Sequence, residues 1–152
     1  MKAEQIMTTR PAVCTPETGL RIIAELMVAY DCGEIPVVRT RESMVPIGVV
    51  TDRDITCRTV AQGRNPLELT AADCMSSPCV TVDSHDRVEE CCRVLEDQQL
   101  RRALVVDRAG RLCGIISQAD IAEFVDPEQT AEVVREVSQH GIGRSITSTL
   151  RD

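Results

Sequence analysis

The apolar positions of this chain alternate between short β-branched runs and stripes with helical spacing, and the alternation occurs twice. Ala12-Val13-Cys14-Thr15 predicts a short strand, ended by Pro16. Between Gly19 and Asp31, the residues Leu20, Ile23, Ala24 and Met27 fall at i, i+3, i+4 and i+7, one face of a helix. Gly33 is the expected stop. Ile35-Pro36-Val37-Val38 predicts a strand with proline near its start, where the missing N–H is tolerated. A polar turn over 39–43 leads to a strand over 45–51. A helix then runs from about Asp52 to Gln62, and Gly63 closes it.

The second half follows the same order. Cys79-Val80-Thr81-Val82 is the short strand, and Val88, Cys91, Cys92 and Leu95 repeat the helical stripe. Ala103-Leu104-Val105-Val106 is a strand, Asp107 to Arg111 a turn, Leu112 to Ser117 a strand, and Gln118 to Val125 a helix. Met7 and Met75 mark matching lead-ins. Residues 63–72, with Gly63, Asn65 and Pro66, carry a turn signal and predict a linker. Beyond Phe124, Asp126-Pro127-Glu128-Gln129 is a helix start, with aspartate as cap and proline at the first helical position. Ala131, Val133, Val134 and Val137 extend that helix to about Gln139, and a tail follows.

The two halves share one motif. Gly48-Val49-Val50-Thr51-Asp52-Arg53-Asp54-Ile55 recurs, altered, as Gly114-Ile115-Ile116-Ser117-Gln118-Ala119-Asp120-Ile121. The β-branched run suits a buried strand. The hydroxyl with an aspartate three residues on suits a strand-to-helix corner, because the hydroxyl caps the first helical turn. A corner found twice in register points to a tandem repeat.

Composition narrows the chemistry. Tyr30 and Phe124 are the only aromatic residues, so the core is aliphatic and no platform exists for stacking bases. A formal charge of −7 disfavours a nucleic-acid backbone or an anionic membrane as partner. No uncharged apolar run approaches the length of a membrane span, and the start of the chain carries no apolar leader. The expected location is cytoplasmic, where the 8 cysteines would be reduced thiols. No C-x-x-C occurs, and neither His85 nor His140 stands near a cysteine pair at zinc spacing. Cys14 aside, most cysteines align with apolar residues of the other repeat: Cys74 with Ile6, Cys79 with Ala12, Cys91 with Ile23, Cys92 with Ala24, Cys113 with Ile47 and Cys32 with Leu100. They read as small buried hydrophobes and not as metal ligands. Cys57 aligns with Glu123 and is the cysteine expected at the surface. No nucleophile–base arrangement is suggested, and Glu89-Glu90 lie on the polar side of their helix.

With Ile35-Pro36-Val37-Val38, its echo Ala103-Leu104-Val105-Val106 and the two corners in place, the chain resembles a pair of CBS domains, the arrangement called a Bateman module. The resemblance covers about residues 1–125. It implies a mixed α/β (α+β) fold of two β-α-β-β-α repeats with pseudo-twofold symmetry, followed by an added C-terminal helix. The expected boundaries are 1–62 for the first domain, 63–72 for the linker, 73–125 for the second domain and 126–152 for the helix and tail.

The resemblance also implies a non-catalytic regulatory module that binds an adenosyl ligand (AMP, ADP, ATP or S-adenosylmethionine) in the cleft between the two domains. No cofactor would be required. In similar proteins the corner aspartate accepts from the ribose hydroxyls, so Asp54 and Asp120 take that role, with Thr51 and Ser117 beside the sugar or phosphate. Backbone groups at Val13, Cys14, Ile35 and Pro36, and at Val80, Ala103 and Leu104, would line the adenine. The same four corner residues cap helices in either case. Before the I-P-V strand, family members often carry basic residues that approach phosphate. Here Arg101-Arg102 stand in the second repeat and Gly33-Glu34 in the first. Arg101 and Arg102, with Arg53, are therefore expected to serve a phosphate at the Thr51–Asp54 pocket, since guanidinium suits phosphate. The Ser117–Asp120 pocket is expected to be empty or to take a neutral or cationic adenosyl group. Family members also pair two modules, so a homodimer is expected, with Ile55, Val60, Ile121 and Phe124 as interface candidates. A separate regulated protein is the expected partner. The alternative is a ligand-free dimeric scaffold that regulates such a partner.

Overall fold

The structure, a computed structural model, describes residues 1–124 and positions 135, 136 and 138. The helix expected over 127–139 and the tail beyond it fall almost wholly outside the described residues. In chain order the elements are α1 (Ala3–Ile6), β1 (Thr8–Thr9), α2 (Leu20–Tyr30), β2 (Glu34–Val38), β3 (Pro46–Thr51), α3 (Asp52–Arg58), α4 (Ala71–Cys74), β4 (Thr81–Asp83), α5 (Val88–Gln98), β5 (Arg102–Val106), β6 (Leu112–Ser117) and α6 (Gln118–Ala122). Short 3-10 turns lie at Val60–Gln62 and Pro66–Glu68.

Several local expectations change for identifiable reasons. The strand over 12–15 shrinks to one parallel bridge, Cys14 with Val37, between Pro11 and Pro16. Cys14 N–H donates to the Pro36 carbonyl at 3.0 Å, and Val38 N–H donates to the Cys14 carbonyl at 2.8 Å. The helix expected over 52–62 breaks at Thr59. That residue is fully buried, and its hydroxyl donates to the Ile55 carbonyl, a back-bond that competes with regular helix. The stretch expected as a linker is ordered. Asn65 caps the 3-10 turn by accepting from Leu67 N–H at 3.1 Å, and α4 begins at Ala71.

The described chain forms two compact units, and these cut it differently from linear boundaries at 62 and 73. One unit comprises Arg10–Val80 and Val106–Cys113, and the other Met1–Thr9, Thr81–Val105 and the residues from Gly114 on. In the first, β2 and β3 pair antiparallel from Glu34↔Thr51 to Val38↔Pro46, with an irregularity between Val37 and Val38. Cys14, Leu20, Ile23, Met27, Ile35, Val37, Val50, Ala71 and Cys74 make its core. The lead-in of the second repeat is built into this unit. Ala71 N–H donates to Thr18 O at 2.9 Å, and Ala72 N–H donates to Pro16 O at 3.0 Å.

The other unit holds most of a sheet ordered β1-β6-β5-β4, with β1 antiparallel to β6 through Thr8↔Ile115 and Thr9↔Gly114. Here the lead-in of the first repeat serves the second. Ala3 N–H donates to Asp86 O at 2.9 Å, and Val88 N–H donates to Met1 O at 3.0 Å. Val88, Cys91, Cys92 and Leu95 of α5 are all buried, as their spacing predicts.

The matching stripe on α2 holds less well. Leu20, Ile23 and Met27 are buried, but Ala24 is exposed. Ile22, Val28 and Tyr30 are also exposed, at 53%, 83% and 61%. At the far ends, Asp31 closes α2 at φ 49° and Gln99 closes α5 at φ 54°, both left-handed. Gly33, expected to stop the first helix, lies beyond that cap. Left-handed backbone costs a side-chain-bearing residue about 1 kcal/mol relative to glycine, and aspartate less than glutamine. Gln99→Gly should therefore raise the unfolding free energy by about 1 kcal/mol, and Asp31→Gly by less. Urea denaturation midpoints check this, and a fall at either site would contradict the cap assignment.

Candidate functional site

Each corner folds as a reciprocal cap. Thr51 ends β3 in an extended conformation, and its Oγ1 accepts from Asp54 N–H at 2.9 Å. Asp54 Oδ2 accepts in return from Thr51 N–H at 3.0 Å. At the second corner Ser117 Oγ accepts from Asp120 N–H at 3.2 Å, and Asp120 Oδ2 accepts from Ser117 N–H at 2.7 Å. Two otherwise unpaired donors are satisfied in each case. Three other helices use the returning half of this device: Gln5 at α1, Asp73 at α4 and Glu90 at α5 accept from the cap N–H.

The motif glycine has a separate cause. A Cβ on Gly48 would stand 2.7 Å from the Ser76 carbonyl oxygen, and one on Gly114 would stand 2.9 Å from that of Thr8. In each unit the lead-in segment pairs with the corner strand at this point. Val49 N–H donates to Ser76 O at 3.0 Å, and Ser76 N–H donates to Val49 O at 2.8 Å. Gly33 also sits against a corner. Its carbonyl accepts from Asp52 N–H at 3.0 Å, and a Cβ there would meet the Asp52 carboxylate at 2.9 Å.

The remaining sequence-predicted residues divide between the units. In the first, Cys14, Ile35 and Pro36 are buried and Val13 and Val80 half-buried. The backbone bonds of Cys14 to Pro36 and Val38, and the Glu34↔Thr51 pair, bring Val13–Cys14, Ile35–Pro36 and the Thr51 corner together. Arg53 is exposed, and its N–H donates to Asp52 Oδ1 at 2.8 Å. In the other unit Ala103 and Leu104 are buried in β5, beside β6 and its Ser117 corner. Arg101 and Arg102 are exposed, and the Arg101 carbonyl accepts from Gln118 N–H at 3.0 Å. Of the interface candidates, Val60 and Phe124 are exposed. Ile121 is buried in its own unit, and Ile55 packs against its own core.

Two residues at the first corner were not anticipated. Ser76 Oγ lies 3.3 Å from Asp54 Oδ1, and Arg58 Nε lies 3.7 Å from the same oxygen. The signal for Arg58 was its i+4 spacing from Asp54. Ser76 had no local signal, since it arrives from the lead-in of the other repeat.

Burial governs the cysteines. It pushes the Cys14 thiol up to about 12 against a slight pull from Arg41. It pushes Cys91 up to about 12 and Cys92 up to about 11, with nearby carboxylates adding to the rise. Cys57 is exposed. Among the described residues, no group of three histidine, cysteine or acidic side chains is placed to hold a metal ion. A thiol raised above its unfolded value stabilises the fold while it stays protonated. That contribution is complete below the ordinary thiol value of 9.0 and is lost as pH climbs toward 12. Stability should accordingly fall as pH rises from 9. A thiol-reactive dye at neutral pH should label Cys57 fastest and leave Cys14, Cys91 and Cys92 unlabelled until unfolding. Peptide mapping of the labelled protein checks the order.

The family described as CBS domain matches residues 3–58 and again 71–127, one match for each repeat. The chain belongs to the CBS domain family. Its sheets and helices form the tandem fold of that family, and CBS pairs are regulatory modules. Protein MK0525 of Methanopyrus kandleri is 35% identical over 123 residues, which is 81% of this chain and 61% of that protein. The chain thus spans about three-fifths of that relative's length. Hypoxic response protein 1 of Mycobacterium tuberculosis is 28% identical over 135 residues, covering 89% of this chain and 92% of that one. A crystal structure of that name, with two coordinated zinc ions, superposes with a TM-score of 0.73 over 83% of this chain and all of its own. A structure of CBSX2 in complex with AMP has a TM-score of 0.69 at 24% identity, over 80% of this chain and 93% of that one. Among the described residues no helix is long and apolar enough to cross a membrane.

Proposed function

We propose that this CBS pair is a sensor for an adenosyl ligand, AMP, ADP, ATP or S-adenosylmethionine, and passes its occupancy to a separate protein. The observation that carries the reading is the corner itself, built twice with the same hydroxyl–aspartate geometry. Each aspartate uses one oxygen to cap its helix, and a carboxylate offers about four acceptor positions. Capacity remains to receive two vicinal ribose hydroxyls by charge-assisted hydrogen bonds. AMP in the CBSX2 complex supports an adenosine-containing ligand. The contrast of Arg101-Arg102 with Gly33-Glu34 supports one phosphate-competent site, assigned to Asp54, and a second site for a neutral or cationic adenosyl group.

Calorimetric titration of AMP into Asp54→Ala and Asp120→Ala tests both parts. The expected result is a loss of AMP affinity of about tenfold or more in Asp54→Ala and retention in Asp120→Ala. The reverse pattern would overturn the assignment, and no adenosyl binding by the unsubstituted protein would overturn the reading. Each substitution also removes half a cap, worth about 1 kcal/mol, so melting curves accompany the titrations.

One observation favours an interaction role alongside ligand binding. The outward surface of α2 carries Ile22, Val28 and Tyr30, where α5 has Glu90, Glu96 and Gln98 at the matching positions. Ile22 and Tyr30, two helical turns apart, would anchor a homodimer through α2. Light scattering should report a dimer at micromolar concentration and a monomer for Ile22→Glu combined with Tyr30→Glu. A monomeric unsubstituted protein refutes it.

A further inference from the structure

The two corners match in their caps but not in what surrounds the aspartate. Arg58 stands four residues after Asp54, where the second corner has Phe124. The Arg58 side chain reaches back along α3. Its Nε lies 3.7 Å from Asp54 Oδ1, Nη1 donates to the Met75 carbonyl at 3.1 Å, and Nη2 donates to Ser76 Oγ at 3.3 Å. Asp54 is the more enclosed partner, its side chain 14% exposed against 46% for Arg58.

At the second corner the Ser117 N–H and hydroxyl both donate to Asp120 Oδ2, at 2.7 and 2.6 Å. Asp120 Oδ1 has no hydrogen-bond or ion-pair partner among the described residues. From Thr51 to Arg58 the acids Asp52 and Asp54 are balanced by Arg53 and Arg58. From Ser117 to Phe124 the acids Asp120 and Glu123 meet no cation.

We propose that Arg58 determines ligand charge at the Thr51–Asp54 corner. By neutralising the aspartate that receives the ribose, it lets this corner accept an anionic adenosyl ligand such as a nucleoside monophosphate. The Ser117–Asp120 corner, which lacks that cation, takes an uncharged or cationic adenosyl compound. The inference rests on the sensor reading above and adds to it the ligand charge class at each corner and the residue that sets it. The ion pair at 3.7 Å, the Thr51 N–H cap bond and the one Ser76 hydroxyl, 3.3 and 3.5 Å from the two oxygens, leave lone-pair positions on Asp54 for a diol, so neutralisation and binding are compatible.

The test is calorimetric titration with AMP and adenosine, which differ only in the phosphate. In the Asp120→Ala background, where the first corner alone is read, Arg58→Phe installs the residue of the other repeat. AMP affinity should fall about tenfold while adenosine affinity changes by less than about twofold, as expected for removing one positive charge near a phosphate. Arg58→Lys should restore most of the AMP preference. Phe124→Arg in the Asp54→Ala background should shift the second corner toward AMP. The ratio of the two affinities on one preparation is independent of the folded fraction, so partial unfolding does not imitate the result. Equal losses for both ligands in Arg58→Phe would make Arg58 a structural clamp and overturn the inference. If the unsubstituted protein binds AMP but the Asp120→Ala protein does not, the inference also falls while the sensor reading stands. If no adenosyl compound binds the unsubstituted protein, both fall together.

Discussion

Each motif glycine lies against a lead-in segment, and at Gly114 the Met7 side chain crowds the same space as the backbone. A lead-in carbonyl, Ser76 in one unit and Thr8 in the other, occupies the space where a side chain on Gly48 or Gly114 would stand. Only glycine allows the lead-in to pair there with the corner strand. That pairing fixes where the strand ends, and the strand end fixes where the helix is capped. The hydroxyl–aspartate exchange at Thr51–Asp54 and Ser117–Asp120 follows from it. The position of the two carboxylates is thus set by a contact that the carboxylates do not themselves make.

Much of this was legible in the sequence because it is local. The four longer strand runs, the four buried positions of α5 and both corner caps follow from period and spacing alone. The exchange of lead-ins was not legible. Residues 1–9 look like the start of the first repeat, yet Met1 and Ala3 bond to Val88 and Asp86. Nothing in their composition says so, since a short apolar turn carries no address for its partner strand. Ala24 failed for a related reason. Spacing reports which positions share a stripe, and alanine is too small and too tolerant of water to fix the edge of that stripe. Ile55 and Ile121 were expected at a dimer interface, whereas Ile121 is buried in its own unit and the half-buried Ile55 packs against its own core.

The two repeats agree at some positions and differ at others, and the causes are separate. Where both copies keep a residue type, the fold explains it: glycine for the carbonyl approach, hydroxyl and aspartate for the cap. Where they differ on the surface, the shared fold is not the cause. Ile22 against Glu90 and Tyr30 against Gln98 separate the outer surfaces of α2 and α5, while three matching positions, Leu20/Val88, Ile23/Cys91 and Met27/Leu95, stay buried in both. Arg58 against Phe124 separates the corners in the same way. Each pair is a difference that the common architecture tolerates and does not require.

The aspartates show how one residue can meet both demands. Capping uses Oδ2, which points back along the chain to the N–H of Thr51 or Ser117. Oδ1 points elsewhere, toward Ser76 and Arg58 at one corner and toward no described partner at the other. Because the cap is made by Oδ2, the environment of Oδ1 can diverge without unfolding the helix behind it. A carboxylate is the side chain that permits this, since its two oxygens are equivalent acceptors joined rigidly at one carbon. Serine or asparagine at the same position could cap a helix, but neither would bring a charge for a neighbour such as Arg58 to cancel. The charge is what makes the two corners chemically different, and at the first corner it is the i+4 arginine that compensates it.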